Sequence, residues 1–113
     1  MTKEERMIKA RELFLQGYNC SQSVFCAYAE DNGIPMELAL KVSASFGGGI
    51  ARMRETCGAV CGMAMLVGFE KGQILPNDPQ QKQINYKAVQ DLAKQFKEKY
   101  GSIKCSELLG HLS

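Results

Sequence analysis

The side chains best suited to chemistry in this sequence are its five cysteines, Cys20, Cys26, Cys57, Cys61 and Cys105. Thiolates attack disulfides and ligate soft metals, so clustered cysteines imply redox or metal chemistry. Cys57 and Cys61 lie four apart on the most apolar stretch of the chain, which in a helix puts both on one face. Such a pair can share a metal or approach a third thiol, or it can simply be two small core residues. Position favours chemistry. Cys20 follows Asn19, Cys57 follows Thr56 and Cys105 comes soon after Ser102, and all three preceding residues are N-cap types. Three cysteines are thereby predicted at helix N-termini, where unpaired amides and the helix dipole favour negative charge. Lowering a thiol pKa from about 8.5 to about 7 takes roughly 2 kcal/mol. A helix end supplies about 0.3–1 kcal/mol when exposed and about 2 kcal/mol at most. Arg52 and Arg54, just before Cys57, stand where they can supply the remainder there, and a metal would suffice at all three.

Gly58 and Gly62 form a small-residue face beside the cysteine face of the same helix, open to close approach by another helix or a cofactor. Gly47-Gly48-Gly49 lacks the Gly-Lys-Ser/Thr continuation of a phosphate-binding loop and reads as a tight connection. Cys26, six residues after Cys20, points to a different side of its helix and is assigned to packing. His111, the only histidine, reads as a tail residue, so neither a Ser–His–Asp set nor a Cys–His pair can be built.

Positioning these residues requires helices. Thr2 and Glu5 make a capping box for a first helix with Met7, Ala10, Leu13 and Phe14 inward, closed by Gly17. Asn19 opens a second, with Cys20, Val24, Ala27 and Tyr28 on one face, ended by Gly33. Pro35 opens a third, burying Leu38, Ala39, Val42 and Phe46. Thr56 is the predicted N-cap of a fourth helix from about 57 to 70, expected to be central because it is the most apolar. Asn77, Asp78 and Pro79 start a long fifth whose inward stripe is Ile84, Ala88, Leu92, Phe96 and Tyr100, with Val89 and Ala93 alongside. Gly101 closes it, and Ser102 caps a short last turn. No segment has strand periodicity, so the predicted fold class is all-α: one domain over residues 1–113, a compact array of five helices plus a short C-terminal helical turn.

Composition narrows the function classes. Apolar residues are 45%, charged residues 23% and the formal charge is +2, so no basic surface invites nucleic acid. The longest apolar patch, around Met63 to Phe69, is too short to span a bilayer. The N-terminus has no secretory pattern, so the expected location is cytoplasmic. There thiols are kept reduced, and a disulfide framework is not expected.

Three blocks carry a resemblance that covers nearly the whole chain. They are Tyr18-Asn19-Cys20-Ser21-Gln22-Ser23-Val24; Ala44-Ser45-Phe46-Gly47-Gly48-Gly49 leading through Arg52-Met53 to Cys57-Gly58-Ala59-Val60-Cys61-Gly62; and Gly101-Ser102-Ile103-Lys104-Cys105-Ser106-Glu107-Leu108-Leu109-Gly110. The sequence resembles the C_GCAxxG_C_C family of redox-active proteins, whose motif cysteines fall on Cys20, Cys57 and Cys105. The resemblance implies a further cysteine beyond Leu108-Leu109-Gly110, a position this sequence does not contain, and a small residue rather than cysteine at position 61. A four-thiolate site would then take Cys61, or a ligand from a second subunit, as its fourth member.

The leading expectation is a redox-active protein in electron transfer, with catalytic residues Cys57, Cys20 and Cys105 and an unidentified redox partner. Cys20, Cys57, Cys61 and Cys105 would ligate a metal ion or iron–sulfur cluster, with Arg52, Gly58 and Gly62 binding the cofactor. The second is a thiol–disulfide oxidoreductase or redox sensor, with Cys57 attacking and Cys61 or Cys20 resolving. The third is a non-enzymatic helical scaffold whose cysteines only pack. No nucleic acid or membrane partner is expected, and a homodimer is left open.

Overall fold

A computed structural model describes residues 2–110 of the chain; His111 lies outside the described residues. The architecture is all-α, with α1 (Lys3–Leu15), α2 (Cys20–Ala29), α3 (Met36–Ser43), α4 (Gly58–Lys71), α5 (Pro79–Tyr100) and α6 (Cys105–Gly110). Single 3-10 turns, Glu30–Asn32 and Ala44–Phe46, extend α2 and α3. Local signals account for several boundaries. Thr2 and Glu5 cap α1 reciprocally, and Asp78 accepts from the Gln81 N–H above Pro79 at the start of α5. Gly33 and Gly101 turn the chain in the left-handed conformation that glycine tolerates.

The centre is α2, where α4 was expected. Ser21, Ser23, Phe25, Cys26, Ala27 and Ala29 of α2 are buried, and this helix packs against α1, α3 and α4. The physical reason is size. Ala, Ser and Cys let three helices close on one axis, whereas the bulkier α4 keeps one flank for α5. The core is Leu13, Phe25, Cys26, Ala29 and Ala39, with Tyr18, Ile34, Met36, Leu40, Met65 and Leu66 around it. Some predicted inward stripes are rotated. On α1 the inward residue is Leu13, while Met7 and Phe14 are exposed; on α3 it is Ala39 with Ser43, while Leu38 and Val42 are exposed. The α5 stripe packs mainly against α4. Leu92, Ala93 and Phe96 are half-buried, and Ile84 and Tyr100 are exposed.

Glycines fix how α2 and α4 run. A Cβ on Gly58 would fall 2.5 Å from Cys20 Sγ and 3.2 Å from Ser21 N; one on Gly62 would fall 3.0 Å from Ser21 O and 3.4 Å from Phe25 N. Farther along, Tyr28 and Asp31 share a cavity with Met63, Leu66, Val67 and Glu70. The two helices therefore run side by side in the same direction, with both N-termini at one end. No helix among the described residues is long and apolar enough to cross a membrane.

Candidate functional site

Cys20 is the first residue of α2, placed by a capping box between Asn19 and Gln22. The same two amides also reach outward. Asn19 Nδ2 donates to Ala44 O at 2.9 Å and Gln22 Nε2 donates to Leu40 O at 3.2 Å, binding the C-terminal end of α3 and the turn after it to the start of α2. Gly47 is buried against the Asn19 side chain, where no Cβ would fit. The reach of Gln22 went unpredicted, although the Asn-x-x-Gln spacing that signals it is present in the sequence.

From Gly47 the chain enters an unusual turn. Gly48, Gly49, Ile50, Ala51 and Arg52 all have φ between 49° and 73°, and Arg54 has φ 62°. Five successive left-handed residues make a left-handed helical turn, costing roughly 1–2 kcal/mol at each of its non-glycine members. Bonds from Arg54 N to Gly48 O (3.3 Å) and from Glu55 N to Gly49 O (2.9 Å) close it. It leads into one antiparallel bridge, Thr56 with Lys104, flanked by Cys57 N to Ile103 O at 2.7 Å and Cys105 N to Glu55 O at 2.6 Å. Thr56 is therefore paired with the distant segment before α6 and does not cap α4. Cys57 itself is the N-cap, without a side-chain capping bond. Ser102 accepts from Lys104 N–H and hydrogen-bonds Glu107, bracing the start of α6.

These connections bring four thiols to one end of the molecule. Cys20, Cys57, Cys61 and Cys105 are half-buried and in no disulfide, whereas Cys26 is fully enclosed. Cys20 Sγ lies against Gly58, one residue from Cys57. Burial pushes the Cys61 thiol up from its ordinary value, and the negative charges of Cys57 and Cys20 push it the same way. Cys61 Sγ also contacts Thr56 O at 3.9 Å. Burial likewise raises Cys26, partly offset by its hydrogen bond with the Ser43 side chain.

Arg54 Nη1 donates to Cys105 Sγ at 3.7 Å. The other arginine, Arg52, is exposed and folds its stem over Gly48. Of the two occupants expected for the face of Gly58 and Gly62, another helix or a cofactor, α2 is the one that packs there. The four-thiolate ligand set is not assembled: among the described residues no group of three His, Cys, Asp or Glu side chains is placed to hold a metal ion. The donors suit zinc or an iron–sulfur cluster by type, but their placement does not fit one.

A family profile described as "Putative redox-active protein (C_GCAxxG_C_C)" matches residues 18–113. The chain belongs to this family. The matched region begins one residue before the α2 capping box and takes in every segment that positions Cys20, Cys57, Cys61 and Cys105. No match was found among curated proteins or among solved structures.

Proposed function

We propose that this member of the family carries out thiol-based redox chemistry at the end of the molecule where α2 and α4 begin. The observation that supports it most is the packing of Cys20 Sγ against Gly58, the residue between Cys57 and the turn of α4 that carries Cys61. Two parallel helices begin there, with Cys20 as the first residue of α2 and Cys57 as the N-cap of α4. Cys61, held as a thiol by burial, suits the resolving role. In this reading Cys57 attacks a disulfide as its thiolate and expels one sulfur as the leaving thiolate. A second cysteine of the group then loses its proton to solvent, attacks the mixed disulfide and releases the other half. Two chain thiols are oxidised to one disulfide, and the attacked disulfide is reduced to two thiols.

An electron-transfer metal centre is the second reading, favoured by four free, half-buried cysteines on segments joined to one another near the start of α4. It requires them to move into a common sphere. Anaerobic expression followed by a visible spectrum and metal analysis separates the two. A colourless, metal-free protein that reduces a disulfide supports thiol chemistry. Stoichiometric iron or zinc, lost on Cys57→Ser, overturns it in favour of the centre.

A further inference from the structure

The parallel run of α2 and α4 has an opposite end. Where the two helices finish, a cavity of about 410 Å³ opens between α1, α2, α4 and α5, lined by Arg6, Tyr28, Asp31, Met63, Leu66 and Glu70, among others. Its volume falls in the range of small-molecule sites. Met63 and Leu66, with Val67 and Leu92, give it an apolar wall. Its charge is one-sided. Arg6 is ion-paired to Asp31 and lies 5.0 Å from the centre of the Tyr28 ring, so Asp31 balances its charge, while its buried Nε has no hydrogen-bond partner among the described residues. Glu70 makes no ion pair with any described residue. Two helix C-termini, each carrying partial negative charge, point the same way. Apolar walls, a free carboxylate and two negative helix ends are complementary to one kind of ligand.

We propose that this cavity binds small organic cations, an ammonium group on a short aromatic or aliphatic body, with the ammonium at Glu70 and the body against Met63, Leu66 and Leu92. The site is separate from the cysteines and independent of the reaction proposed for them.

The test is titration of the full chain with phenethylammonium, followed by methyl NMR of Met63 and Leu66, with phenylacetate as the anionic counterpart of similar shape. The expected result is saturable binding of the cation, about twofold to fivefold weaker in Glu70→Gln, as for an exposed ion pair, and weaker still as salt is added. Val67→Trp should fill the cavity and abolish binding. If that variant does not fold, Leu92→Trp closes the cavity from α5. Equal binding of phenylacetate and phenethylammonium, no saturation by either, or binding unaffected by the filling variants overturns the proposal.

Discussion

Three glycines on α4 meet three different environments, so one substitution series predicts a gradient in stability and reactivity. A Cβ on Gly58 would sit 2.5 Å from Cys20 Sγ and 2.8 Å from Phe46 O; on Gly62 it would sit 3.0 Å from Ser21 O; on Gly68 it would meet nothing within 4 Å. Alanine gains about 1 kcal/mol over glycine inside a helix. Gly68→Ala should keep that gain, raising Tm by about 4 °C. At Gly62 the α2 backbone must give by a few tenths of an ångström, and the net change should be near zero. At Gly58 a sulfur can rotate away, but the Phe46 carbonyl is backbone. Overpacking there costs about 1–3 kcal/mol, and the propensity gain is smaller at the first helical position. A net loss of about 1–2 kcal/mol follows, a fall in Tm of about 4–8 °C. Because Cys20 Sγ is the atom displaced, its alkylation by iodoacetamide should speed up several-fold in Gly58→Ala and stay unchanged in Gly68→Ala. Thermal melts and peptide-resolved alkylation read both quantities. Gly58→Ala as stable as Gly68→Ala, with Cys20 labelling unaltered, would refute the contact between α4 and the α2 N-terminus.

Other predictions concern the elements that hold the site. Asn19→Ala removes both an N-cap and the bond to Ala44 O and should cost about 1–2 kcal/mol in urea unfolding. Ile50→Gly relieves a left-handed β-branched residue and should stabilise by about 0.5–1 kcal/mol. Gly49→Ala, at φ 73° with a Cβ 2.5 Å from that of Cys105, should destabilise and disturb Cys105 labelling. Arg54→Gln should slow alkylation of Cys105 several-fold at pH 7, because the guanidinium donor to its sulfur is lost. The raised thiols Cys26 and Cys61 keep their protons longer in the folded than in the unfolded chain. Their contribution is therefore complete below the unfolded value of about 8.5 and is lost as pH rises through the folded values. Urea midpoints should decline above about pH 8.5, and Cys61→Ser should flatten that decline.

The helix order was legible because caps and breakers are local. Thr2 with Glu5, Asn19, Gly33, Asp78 with Pro79 and Gly101 each act within a turn of their own position. Burial was less legible, because it depends on which helix lies opposite. Met7 and Phe14 fit a helical stripe but face solvent once Leu13 takes the inner position. The apolar content of α4 suggested the centre, yet small residues in α2 allow closer approach. The motif cysteines stood out by their place at helix starts, and the structure gives a reason beyond capping. Thr56 and Lys104 pair across nearly fifty residues, with main-chain bonds that carry no side-chain signature. The left-handed turn from Gly48 to Arg52 was hidden for a similar reason. Ile50, Ala51 and Arg52 have no intrinsic preference for that conformation, and only the surrounding contacts impose it.

The central claim is that Cys20, Cys57 and Cys61 form one redox-active group from which Cys26 is excluded. Incubation of the reduced protein with oxidised glutathione, quenching by alkylation and disulfide mapping by mass spectrometry test it most directly. The account predicts an intramolecular disulfide within the group, with Cys26 alkylated only after unfolding. Thiols that remain free at equilibrium, or a disulfide that includes Cys26, would contradict it.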